Sequence, residues 1–225
     1  MSFRDKIDHF VLKYLVVPPA PRIKSGAKHI ACIGDSITFG AGVGGVKRRT
    51  WEHFLNERLG AGWQVLNYGI SGRTLRDEGD YPYRAEKLYG VSKACGADIF
   101  LIMLGTNDSK PYNWQREGYE RSLRAFAGEY RALPNAPRVI LMTPPSCFPD
   151  KKIGFIPFDI SAEVIDRDIV PIVKSVASEL GLQVIDLNAF TAGHAEWFSD
   201  GVHPNEVGNR AIAEFIAGAL GEVGR

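Results

Sequence analysis

From Lys28 onward the chain repeats one pattern. A short, almost continuously apolar run gives way to a polar or glycine-rich stretch, then to a longer segment whose apolar positions return every three or four residues. The apolar runs are HIACI, WQVLNY, DIFLIML, PRVILM and LQVIDL. Being apolar at successive rather than alternate positions, they predict strands covered on both faces, as in a parallel sheet. The intervening segments, Thr50 to Leu59, about Tyr83 to Cys95, Arg116 to Leu133, Ser161 to Leu180 and Glu206 to Leu220, predict helices. Parallel neighbours need crossover connections, and right-handed crossovers bury the sheet between helices. The expected fold is therefore α/β, a three-layer α/β/α sandwich around a five-stranded parallel sheet.

The first residues follow a different pattern. Ile7, Phe10, Val11, Tyr14 and Leu15 share one helical face, and VVPPAPRIKSG then stops any helix. Residues 1–27 read as an amphipathic helical arm with a proline-rich linker, and residues 28–225 as the main domain. An isolated helix of that length is marginal in water, so the arm is expected to dock on the body or on a second copy of the chain, as in a homo-oligomer. The longest loop-like stretch, Thr143 to Asp159, is rich in proline and carries Phe148, Phe155 and Phe158.

Composition narrows the picture to one large domain: 225 residues, 45% hydrophobic and 24% charged, are enough for a substantial core. A formal net charge of +1 gives no field toward nucleic acid or an anionic membrane, and Lys47-Arg48-Arg49 reads as a solvated face. Cys32, Cys95 and Cys147 are odd in number and lack paired spacing, which argues against a disulfide framework and a zinc site. Asp5, Asp8 and Lys13 interrupt the opening stretch, and no membrane-spanning run occurs, so the expectation is a cytoplasmic protein with no membrane partner.

Ligands of such sheets bind beyond the carboxyl ends of the strands. Four loops fall there: GDSITFG, GISGRT, GTNDSKPYNW and SDGVHPN. Together they hold what an ester hydrolase needs. Ser36, at the tip of the first strand–helix turn, is placed as a nucleophile. His203 can take its proton as general base, and Asp200, three residues earlier, can hold the other ring nitrogen. Gly72 offers an unobstructed backbone N–H, and Asn107 a neutral amide donor, for a tetrahedral oxyanion. Asp35 is expected to tie down the turn. His194 has only Glu196 as an orienting acid and is the weaker candidate base. Gly40, Gly42 and Gly45 satisfy G-x-G-x-x-G, but a dinucleotide-binding turn would put its first glycine directly after the strand and an acid at the end of the second.

GDSITFG, GISG, GTND and DGVHP, in this order, resemble the four sequence blocks of the SGNH hydrolases, also called GDSL esterases and lipases, over about Lys28 to Leu220. The resemblance implies a flavodoxin-like SGNH hydrolase fold and an acyl-enzyme mechanism, with Ser36, His203 and Asp200 as the triad. It also implies an oxyanion hole formed by the backbone N–H of Ser36 together with Gly72 and Asn107, and no cofactor or metal. Within GTNDSKPYNW, Lys110, Tyr112, Asn113 and Trp114 resemble the segment found in carbohydrate O-acetylesterase-like members, which points to a small-molecule ester, an acetyl group on a sugar-like alcohol. These four and Phe148 are the expected substrate-binding residues. The competing expectations are a lipase, lysophospholipase or thioesterase acting on longer acyl chains, with the phenylalanines as an acyl groove, and a non-catalytic module.

Overall fold

The computed structural model describes residues 17–44, 46–148 and 159–221. Five strands, β1 (Lys28–Gly34), β2 (Trp63–Gly69), β3 (Ile99–Met103), β4 (Arg138–Met142) and β5 (Gln183–Ile185), form one parallel sheet in the order β2-β1-β3-β4-β5. The helices are α1 (Ser36–Phe39), α2 (Trp51–Leu59), α3 (Lys87–Lys93), α4 (Arg116–Arg131), α5 (Ala162–Val164), α6 (Val170–Leu180), α7 (Leu187–Thr191) and α8 (Glu206–Leu220).

The unbroken apolar runs have a direct cause in this arrangement. Alternate residues of each strand enter different cores. Ile30 and Cys32 of β1 pack with Trp51 and Leu55 of α2 and with Ile212 and Ile216 of α8. Ala31 and Ile33 pack with Phe126 and Tyr130 of α4 and with Val173 and Val176 of α6. Each fully buried Ile or Phe contributes about 1.5–3 kcal/mol, so two such cores hold the three layers together. Cys32 and Cys95 are buried within them as free thiols.

The structure differs from the sequence pattern in three places. The helix expected over Tyr83 to Cys95 is divided into a 3-10 turn, Tyr83–Ala85, and α3, because Tyr83 turns inward to donate its hydroxyl to the Tyr68 carbonyl at 2.6 Å. Between α5 and α6 the chain widens into a π turn, Ile165–Ile169; Pro171, at the start of α6, has no N–H to donate to the preceding turn. The last strand is shorter than its apolar run, because Asp186 leaves the sheet to cap α7, accepting from Ala189 N. The linker is pinned to edge strand β2: Lys24 N–H donates to Gln64 Oε1 at 2.8 Å, and Gln64 Nε2 donates to the Arg22 carbonyl at 2.8 Å. The amphipathic arm lies outside the described residues, as do Phe155 and Phe158.

Candidate active site

The strand order reverses between β1 and β3, and the crevice at such a switch point is where doubly wound sheets bind ligands. Here β1 ends at Gly34. A Cβ there would lie 2.1 Å from Thr38 Oγ1 and 2.9 Å from the Met103 carbonyl, so only glycine lets the following turn close against β3. Asp35 caps α1, its Oδ1 accepting from Ile37 N–H at 2.9 Å, and Gly40 ends the helix in the left-handed region at φ 93°. Capping thus falls to Asp35. Ser36 is the first residue inside the helix, and its hydroxyl is left for other work.

That hydroxyl lies 2.8 Å from Nε2 of His203. On the far side of the ring, Nδ1 lies 2.7 Å from Asp200 Oδ2, while Asp200 Oδ1 accepts from the backbone N–H groups of Val202 and His203 at 2.9 and 2.7 Å. Burial raises the Asp200 pKa, but its bonds to His203 and Val202 outweigh that and hold the carboxyl down at about 2. An ionised Asp200 keeps the ring proton on Nδ1 and leaves Nε2 as the acceptor facing Ser36. Ser36 and His203 are both nearly buried. Gly42 braces the histidine loop: a Cβ there would come within 2.3 Å of the Pro204 carbonyl and 2.9 Å of His203 Cβ. His194, by contrast, stacks on Trp197 with ring centroids 3.7 Å apart and bonds Glu196.

Gly72 and Asn107 come from the loops after β2 and β3. Gly72 has φ 80°, a left-handed conformation that favours glycine. Asn107 opens a buried 3-10 turn, Asn107–Ser109, and one of its two amide N–H donors goes to the Arg73 carbonyl at 3.2 Å, against the residue after Gly72. Two charged residues with no role in the sequence reading hold this side. Arg73 is fully buried, donating to Glu86 Oε1 at 2.6 and 3.0 Å and to the Ser71 carbonyl at 2.8 Å. Asp108 is also fully buried and accepts from Leu75 and Arg76 N–H at 2.9 and 2.8 Å. In the sequence, the only sign of either was a charge next to a motif residue.

The expected substrate residues divide. Tyr112 is 63% exposed, with the Lys110 ammonium 5.9 Å from its ring centroid. Phe148 packs on Phe198 at 5.3 Å, and its N–H donates to the Gly201 carbonyl beside Asp200. Asn113 and Trp114 make their contacts within the protein. Asn113 is buried, and its side chain is committed within the protein: Nδ2 donates to Asp80 Oδ1 and the Asn107 carbonyl, and Oδ1 accepts from Asp80 N–H. Trp114 is half-buried and packs against the core, its ring tilted on that of Tyr119 at 5.8 Å. The turn at Lys110, whose carbonyl accepts from both Asn113 and Trp114 N–H at 2.9 Å, leaves Tyr112 outside and turns the next two residues toward the protein.

With the geometry in hand, comparison with known proteins is informative. Residues 32–211 match the model of the GDSL-like lipase/acylhydrolase family. An acetylxylan esterase of Xylanibacter ruminicola is 35% identical over 238 aligned positions, which cover 97% of this chain and 48% of that protein. The chain therefore spans about half the length of that relative. Among solved structures, a carbohydrate acetylesterase from Sinorhizobium meliloti superposes with a TM-score of 0.68 at 21% identity, covering 87% of this chain and 99% of that one. The M. smegmatis aryl esterase does so at 0.66 and 23%, covering 88% and 100%. At these identities the two structures speak to the fold.

Proposed function

Because the chain belongs to the GDSL-like lipase/acylhydrolase family, we propose that it is a serine esterase that removes a short acyl group, acetyl, from a carbohydrate-type alcohol. The observation that carries this reading is the unbroken relay from Ser36 Oγ to His203 Nε2 at 2.8 Å and from Nδ1 to Asp200 at 2.7 Å. Ser36 Oγ attacks the ester carbonyl carbon as its proton passes to Nε2, and Asp200 stabilises the imidazolium that forms. The carbonyl oxygen becomes an oxyanion, met by the backbone N–H groups of Ser36 and Gly72 and by the Asn107 amide. Collapse breaks the ester C–O bond, and the alcohol leaves with the proton from His203. Water then enters, gives its proton to Nε2, attacks the acyl-enzyme, and restores Ser36 as acetate departs.

The acetyl and sugar parts are supported by the acetylxylan esterase relative. The test is a series of p-nitrophenyl esters from acetyl to octanoyl, run beside acetylated xylo-oligosaccharides. Acetyl should give the highest kcat/KM, because a closed pocket turns the roughly 0.8 kcal/mol gained per buried methylene into a steric cost. Ser36→Ala should lower kcat by about 10⁶ with the melting temperature unchanged. A steady climb in kcat/KM toward octanoyl would instead mark a longer-chain hydrolase, with Phe148 as part of an acyl groove.

A further inference from the structure

We propose that Asp108 is a positioning residue that clamps the Gly72 loop onto the Asn107 loop and so sets the spacing of the oxyanion donors. This rests on the esterase reading above. In the strand order β2-β1-β3, the two loops leave strands that do not touch. No ladder hydrogen bond can therefore fix one donor against the other, and the connection must come from side chains. Asp108 makes it with both carboxylate oxygens, Oδ2 to Leu75 N–H at 2.9 Å and Oδ1 to Arg76 N–H at 2.8 Å, bonds that span 33 and 32 residues of sequence. Asn107 itself adds a tie, its Nδ2 donating to the Arg73 carbonyl at 3.2 Å, and Asn113 another, its Nδ2 holding the Asn107 carbonyl at 3.0 Å and Asp80 Oδ1 at 2.8 Å.

The side-chain type follows from the task. Two consecutive backbone N–H groups present two donors side by side, and a carboxylate offers an acceptor oxygen to each, whereas an amide offers one. The cost is a fully buried carboxyl. Burial drives its pKa up to about 7 against the opposing effect of the Arg76 and Leu75 hydrogen bonds, and buried Asp35 pushes the same way as burial. Arg76 does not repay that cost through its head group, which reaches the Asn113 carbonyl at 2.8 Å and Glu78 at 3.3 Å. Asp108 acts through Gly72 and Asn107 and touches no reacting atom.

The experiment is Asp108→Asn in the full chain, assayed on p-nitrophenyl acetate. Asparagine keeps one of the two bonds and turns an N–H toward the other donor, so the loops should separate slightly. A displacement of about 1 Å at a catalytic group costs on the order of 10²-fold, and kcat should fall about 10- to 100-fold with KM within twofold of wild type. Amide exchange at Leu75 and Arg76 should accelerate, since each N–H loses a carboxylate acceptor. A fall in melting temperature with unchanged kcat, or a rise in KM alone, would overturn the proposal. If Asp108→Asn does not fold, Asn113→Ala keeps the carboxylate and loosens the same junction; an unchanged kcat there overturns it equally. Wild-type protein inactive on every ester would refute the esterase reading instead. The clamp would then stand or fall on whether the variant speeds exchange at Leu75 and Arg76.

Discussion

Asp200 and His203 share one short turn, whereas Gly72 and Asn107 reach the cleft from strands on opposite sides of β1. The first wall is largely self-built. Asp200 Oδ1 accepts from the N–H groups of its own turn while Oδ2 holds the imidazole, so one side chain both folds the loop and orients the base. The second wall depends on Asp108, Asn113 and Arg73, each bonded to residues remote in sequence or buried deep in the loop. The contrast suggests two modes of failure. On the proposed mechanism, damage to the first wall impairs proton transfer, and damage to the second leaves the Ser36–His203–Asp200 bonds in place but mis-spaces the donors.

The largest expected effect sharpens this at the first wall. Asp200→Asn keeps the shape of the turn but permits the wrong ring tautomer, and kcat should fall by about 10⁴. A loss below tenfold, measured on p-nitrophenyl acetate, would mean that backbone groups orient His203 without the carboxylate. At the second wall Asn107→Ala removes one donor, and kcat should drop by about 10²–10³, some 2.7–4 kcal/mol, with the Ser36–His203 pair intact. A change in KM alone would take Asn107 out of the oxyanion hole. Gly42→Ala probes a contact between the loop after α1 and the first wall. Its new methyl would stand 2.9 Å from His203 Cβ, so it should displace the imidazole and cost about 10²-fold in kcat, with the crystal structure of the variant showing the shift.

How much of this was legible in the sequence depends on range. The strands and main helices could be read because their apolar periods record burial on two faces. The pairing of Asp200 with His203 could be read because DGVH places a carboxylate and an imidazole on one turn. Ser36 was legible as the residue at the tip of the first strand–helix turn and Asp35 as the one that ties this turn down; the coordinates add that the tie is the capping bond from Ile37 N–H. What Asn113 and Trp114 face was not legible for a physical reason: an amide and an indole near a cleft have the same chemistry whether they face a sugar or a loop carbonyl, and only the path of the chain at Lys110 decides. Asp108 beside Asn107 looks like any turn aspartate until Leu75 and Arg76 arrive from 33 and 32 residues away.

The smallest effect contrasts the two walls through the pH dependence of stability. Asp200 is held at about 2 in the folded state, below the roughly 3.9 of an unfolded aspartate, so its contribution is present above pH 4 and is lost as pH falls through 2. Asp108 carries the opposite sign. Its folded pKa of about 7 lies above the unfolded value, so the folded state binds its proton more tightly; that contribution is complete below pH 4 and disappears as pH rises through 7. Between pH 4 and 7 only Asp108 of this pair titrates in the folded state, with a slope of at most about 1.4 kcal/mol per pH unit. Urea unfolding of wild type and Asp108→Asn at pH 4.5, 6 and 7.5 reads it as the change in the difference between the two. The gap between wild type and Asp108→Asn should move in the variant's favour as pH rises, since asparagine has no proton to lose in the buried site. Parallel curves for Asp108→Asn and wild type would show that the carboxyl ionises as freely in the fold as in the unfolded chain, and that the second wall carries no buried charge cost.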